Sequence, residues 1–107
     1  LMSHTTVNIE IRCKKNDNLI PSYRLLYDGI VVAERRLGFD VKAYYNKESL
    51  TVRDDGAIHR VELVNTNTAA GQIWIESLDF KDGDTALPMD VSANVVDNAF
   101  TFICRQR

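Results

Sequence analysis

The 107-residue chain reads as all-β: a single-domain antiparallel β-sandwich, with a closed barrel as the related alternative. Three observations point there. Apolar and polar residues alternate with a period of two in several short stretches, Gly-bearing turn signals recur every eight to twelve residues or so, and no helical period runs for a useful length.

The first strand is the clearest. Val7, Ile9, Ile11 and Cys13 alternate with Asn8, Glu10, Arg12 and Lys14, as expected when one face is buried and the other wet. Residues 1–6 before it are expected to be a flexible N-terminus or an appended remnant, with Met2 as a native start, and residues 7–107 one domain. Turn formers Lys14 to Asn18 end the strand. Tyr23, Leu25 and Tyr27 begin a second alternation that meets Asp28-Gly29, beyond which Ile30 to Ala33 form a β-branched run, so a hairpin is predicted. Val41–Tyr45 and Leu50–Val52 read as short strands separated by the polar Asn46 to Ser49, although the stretch Asp40–Ser49 leaves a helix open. Asp54-Asp55-Gly56 is a turn signal leading into Ala57–Val64, and Asn65 to Gly71 forms a loop. Ile73–Phe80 is the next strand, followed by the turn Asp82-Gly83-Asp84 and a loop around Pro88, with Val91–Val96 and Phe100 to Cys104 closing the chain.

Composition narrows the function classes. A net charge of −2 gives no field to draw in nucleic acid, and the dense basic spots, Arg35-Arg36 and Arg105 to Arg107, have no interleaved aromatics. No run approaches the ~18 apolar residues of a membrane span, so neither a nucleic acid nor a membrane is expected as partner. Cys13 and Cys104 lie far from any CxxC spacing and on the apolar phases of their strands. Buried free thiols and, in an exported protein, a disulfide between the terminal strands are both compatible with that.

Catalysis is not expected. Nucleophilic hydrolysis needs an oriented base, and the two histidines are His4, near the terminus, and His59, which shares its phase with Val61 and Leu63 and so reads as a partly buried structural residue. Carboxylate pairs can be drawn from Glu10, Glu34, Glu62, Glu76 and Asp79, as in any acidic domain. The polar loops are more site-like. Asp79, Asp82 and Asp84 offer hard oxygen donors to a cation such as calcium, while turn chemistry alone also accounts for Asp beside Gly. Trp74 and Tyr45, with Tyr23, Tyr27 and Tyr44 as further candidates, can stack on a sugar if they stand out from a sheet. Trp74 has the phase opposite to Ile73 and Ile75, which favours the wetter face, although a large aromatic in a small sandwich is more often core.

From about Val7 to Leu87 the order of elements resembles the small calcium-dependent, xylan-binding carbohydrate-binding modules. The segments that carry the likeness are Leu26-Tyr27-Asp28-Gly29-Ile30-Val31-Val32 and Gly56-Ala57-Ile58-His59-Arg60-Val61-Glu62-Leu63-Val64-Asn65. The first is similar to the family's strand, Asp-Gly turn and Val; the second to its glycine, His, alternating apolar residues and Asn where the loop begins. The resemblance implies a jelly-roll sandwich binding an oligosaccharide without catalysis, with calcium as cofactor and Asn65 and Asn67 near the recognition loop. In that family an Asp follows the Asn and another precedes the next strand. Here Thr66 and Ala69-Ala70-Gly71-Gln72 stand in those stretches. The alternative is a small structural or assembly protein of virion or accessory type, pairing through a sheet edge or an exposed aromatic face with its own copies or a larger protein.

Overall fold

The structure is a computed structural model that describes residues 4–16, 18–38, 43–83, 85–87 and 94–105. Its strands in chain order are β1 (His4–Lys15), β2 (Ser22–Tyr27), β3 (Ile30–Arg36), β4 (Ala43–Arg53), β5 (Ile58–Asn65), β6 (Gly71–Asp82), β7 (Thr85–Leu87) and β8 (Ala99–Ile103), with one 3₁₀ turn at Thr68–Ala70. They form two antiparallel sheets ordered β4-β1-β6-β7 and β3-β2-β5-β8, so the molecule is an all-β sandwich and not a closed barrel.

The alternation in β1 explains its central place. Val7, Ile9, Ile11 and Cys13 are all buried, and they face Tyr23, Leu25, Val61, Leu63, Phe100 and Phe102 of the other sheet across one core. Burying each such side chain contributes about 1.5–3 kcal/mol. The strand begins at His4 and not at Val7, because Thr5 is itself buried and its hydroxyl donates to the buried Asp54 carboxylate.

The Asp28-Gly29 hairpin forms as predicted. Asp28 (φ 50°) and Gly29 (φ 82°) both take the positive φ that a two-residue turn of matching twist requires, and Tyr27 pairs with Ile30. At Asn46 to Ser49 the sequence reading fails: neither a separator nor a helix is present, and β4 runs through without a break. Glu48 faces inward despite its charge, because Tyr23 Oη and Arg35 Nε donate to its Oε1 at 3.2 and 2.9 Å. Burial, with the Glu48 charge beside it, pushes the Tyr23 phenol up to about 12 even though Asn46 donates to its oxygen. Val96 also departs from expectation: it makes only an isolated bridge to Ala99 around the turn residues Asp97 and Asn98, both at positive φ. Residues 91–93 of that expected strand, and Pro88, lie outside the described residues.

Two bulges decide which side chains face outward. Between Glu10↔Ser77 and Ile11↔Ile75, β6 carries Glu76 as an extra residue, so Ile73 and Ile75 before it and Leu78 and Phe80 after it all turn to the core. Without that bulge Leu78 would share the outer face with Trp74. In β3, Val32 is the extra residue between Leu25↔Ala33 and Leu26↔Val31. β3 is an edge strand of its sheet, and Ile30, Val31 and Val32 remain exposed along it.

Candidate functional site

The outer face of the β4-β1-β6-β7 sheet carries the most site-like constellation among the described residues. Arg12 of β1 pairs with Tyr45 of β4 on one side and Trp74 of β6 on the other, so the three stand in one cross-strand row. All three have the outward phase of their strands, and the two strands that carry the rings, β4 and β6, are two strand spacings apart, about 9.6 Å. Tyr45 is 54% exposed, while Trp74 is partly buried.

Polar contacts hold the row in place. The Arg12 guanidinium carbon lies 4.9 Å from the Tyr45 ring centroid, in cation–π range. Glu10, two residues back on the same face, receives Arg12 Nε at 3.1 Å and pairs with its Nη2 at 3.0 Å. The Trp74 indole N–H donates to Oε2 of the bulge residue Glu76 at 2.7 Å. The Lys47 ammonium lies 6.0 Å from the centroid of the same Tyr45 ring. The row presents two aromatic rings with a cation between them on an otherwise polar sheet, which suits a flat ligand with both apolar faces and hydroxyl or charged groups. Sequence reading named Trp74 and Tyr45 but not Arg12 or Lys47. The alternation of β1 put Arg12 on the wet face, but only strand pairing places it between the two rings.

The other sequence-derived candidates lie elsewhere. Asn65 uses both ends of its amide within the loop: its Nδ2 donates to Gly71 O at 3.0 Å and its Oδ1 accepts the Asn67 N–H at 3.0 Å. Asn67 Nδ2 donates to Ile20 O at 3.0 Å. These amides brace the β5–β6 connection against the chain leading into β2. Asp79 lies eight residues beyond Gly71 along β6, about 26 Å away at the rise of a strand, and pairs with Lys81 at 3.7 Å. Asp82 is exposed at the end of β6, and Asp84 lies outside the described residues. Calcium needs about six or more converging oxygens. The Asn65 and Asn67 amides stand at the opposite end of β6 from Asp79 and Asp82, and among the described residues no group of three or more His, Cys, Asp or Glu side chains that could hold a metal ion is found.

His59 sits at the end of the sandwich where the β2–β3 turn and the β4–β5 connection close over the core. Its Nδ1 lies 2.6 Å from Asp28 Oδ2 and its Nε2 2.9 Å from Asp55 Oδ1, and the ring stacks on Tyr27 at 5.3 Å between centroids. Asp28 also accepts the Arg60 N–H at 2.8 Å, and Asp55 that of Ala57 at 2.9 Å. Both ring nitrogens face carboxylates, which suits an imidazolium donating in two directions and leaves no lone pair for a general base. Partial burial alone would lower the imidazole pKa; the hydrogen bonds and charges of Asp28 and Asp55 outweigh it and hold His59 above its ordinary 6.5. The partial burial of Asp28 is likewise outweighed by His59 and the Arg60 N–H, and the Ala57 N–H and His59 act on Asp55, so both carboxylates fall below 3.8.

The sign of the resulting pH dependence follows from linkage. The His59 contribution is complete below 6.5 and is lost as pH rises through its higher folded value; that of the carboxylates is complete above 3.8 and is lost as pH falls through theirs. Urea unfolding should therefore show wild type losing more stability than His59→Gln between about pH 5.5 and about pH 8.5. An imidazole midpoint below 6.5 by NMR titration would show that the clamp does not hold the charged form.

Cys13 and Cys104 are both buried and no disulfide joins them. Cys13 pairs with Ile73 near the start of β6, whereas the Cys104 carbonyl accepts the N–H of Gly56 ahead of β5, so the two lie toward opposite ends of the sandwich. Among the described residues no helix is long and apolar enough to cross a membrane. No family profile, curated protein or solved structure matches the chain.

Proposed function

We propose that the chain is a non-catalytic binding module whose ligand, a carbohydrate, lies across the outer face of the β4-β1-β6-β7 sheet. The observation that carries this reading is the row Tyr45, Arg12, Trp74, set by strand register and held by Glu10 and Glu76. Each ring offers an apolar face to the C–H side of a sugar, and Arg12 offers donors to its hydroxyls. Sheet strands hold these side chains more rigidly than loops would, which lowers the entropy lost on binding. No cation is required by this arrangement.

Trp74 is the one tryptophan in the chain, so its fluorescence reports on the row directly. Titration with soluble plant and bacterial polysaccharides should shift that emission for at least one polymer, with or without EDTA. Tyr45→Ala should weaken the interaction about three- to tenfold, and Trp74→Ala should do the same in affinity gel electrophoresis. Retention unaffected in both variants, with the fold intact by circular dichroism, would remove the sheet face from consideration.

A second reading is favoured by a separate observation, the exposed Ile30, Val31 and Val32 on edge strand β3. An unpaired apolar edge suits strand addition by a protein partner. Sedimentation at rising concentration separates the two readings, because a sugar-binding module stays monomeric and an assembly subunit that pairs with its own copies does not.

A further inference from the structure

We infer that the saccharide recognised by the Tyr45 row is an acidic one, a chain bearing uronate carboxylates, taken at the Tyr45 end by Lys47 together with Arg12. This rests on the reading of the row as a sugar-binding face and narrows it to a ligand class. The charge arrangement around Tyr45 carries the inference. Lys47 stands directly across from Glu10 in the β1–β4 register, the position where a cross-strand ion pair would form. Glu10 turns instead toward Arg12, holding it through Nε and Nη2. Among the described residues Lys47 makes no ion pair, and its ammonium rests 6.0 Å from the Tyr45 centroid while the Arg12 guanidinium lies 4.9 Å from it.

One exposed ring therefore has two cations near it and one carboxylate to balance them. The Trp74 end is different, because there the nearest charged group is Glu76, engaged by the indole N–H. The row thus has a cationic end and an anionic end. A sugar whose ring stacks at Tyr45 places its substituents within reach of both Lys47 and Arg12, where a carboxylate pairs with the uncompensated ammonium. A neutral sugar leaves that charge unmatched, and a carboxylate at the Trp74 end meets Glu76. The whole chain has a net charge of −2, so attraction of a polyanion is a local property of this end of the face and not of the molecule.

The test compares polygalacturonate with the same polymer after reduction of its carboxyl groups, read by Trp74 fluorescence and affinity electrophoresis. Wild type should bind the acidic polymer about five- to tenfold more tightly than the reduced one, as one or two exposed ion pairs allow. That preference should shrink in about 0.5 M salt. Lys47→Met should lower the ratio of acidic- to reduced-polymer affinity at least about twofold, and an unchanged ratio in that variant would overturn the part given to Lys47. Equal binding of the two polymers by wild type would overturn the inference and leave the sugar-binding reading standing. Retention of the acidic polymer by a Tyr45→Ala, Trp74→Ala double variant at wild-type strength would reduce the effect to ion exchange and overturn it as well. Failure of wild type to bind either polymer, with a neutral glycan of another class binding through the row, would overturn the acidic specificity alone; no binding to any glycan would sink both.

Discussion

Gly71→Ala should be the most damaging single substitution in this protein, removing about 4 kcal/mol or more of stability and leaving little folded material at 37 °C or so. Gly71 opens β6, and its φ of 149° lies in a region that residues with a Cβ rarely adopt. A Cβ placed there would stand 2.1 Å from the carbonyl oxygen of Lys14 and 3.1 Å from the Lys15 Cα, both backbone atoms of β1. Relief would require separating β1 from β6 where Lys15 pairs with Gly71, and the Gly71 carbonyl would move away from the Asn65 amide that it accepts. Gly83→Ala is the matched control. Its φ is 60°, but no atom lies within 4 Å of the added Cβ, so only the local cost of about 1–2 kcal/mol applies. Thermal melts of the two variants against wild type check this. A Gly71→Ala protein melting within about 5 °C of wild type would show that the β1–β6 junction yields freely.

Phe102→Ala should lose about 3–5 kcal/mol, a drop of at least 12 °C or so in melting temperature for a domain of this size. Phe102 is 1% exposed, and its ring centroid lies 5.6 Å from that of Phe80 in the opposite sheet and 5.8 Å from that of Phe100 on its own strand. The same ring is 6.4 Å from Tyr27 and 5.9 Å from His59. Truncation therefore opens a cavity between the sheets and removes one wall of the His59 clamp. Phe102→Leu keeps most of the volume and should lose much less, about 1.5 kcal/mol. Urea denaturation gives the stability change; a loss below about 1 kcal/mol would mean that the core collapses around the gap.

Much of the fold was legible because one-sided burial writes itself as alternation. Val7 to Cys13 and Val61 with Leu63 announced strands, and Asp28-Gly29 announced a hairpin, since each is a local consequence of pleating or of positive φ. Reading failed where a polar residue is buried by distant partners. Glu48 looked like loop chemistry until Arg35 and Tyr23, far away in sequence, arrived to satisfy it. The Asn65 and Asn67 amides looked available for a ligand, and proximity to Gly71 and Ile20 turned them into braces.

The sequence by itself determined an all-β chain, the inward phase of β1, the turns at the three Asp-Gly dipeptides and the presence of Trp74 and Tyr45 as aromatic candidates. These depend on residues at most a few positions apart. Only the tertiary structure decided that Tyr45, Arg12 and Trp74 share a row, that Glu76 is a bulge turning Leu78 inward, that Asp28 and Asp55 meet at His59, and that Glu10 pairs with Arg12 and not with the Lys47 across from it. Strand order and register bring together residues tens of positions apart, and a shift of one residue would send every one of those side chains to the opposite face.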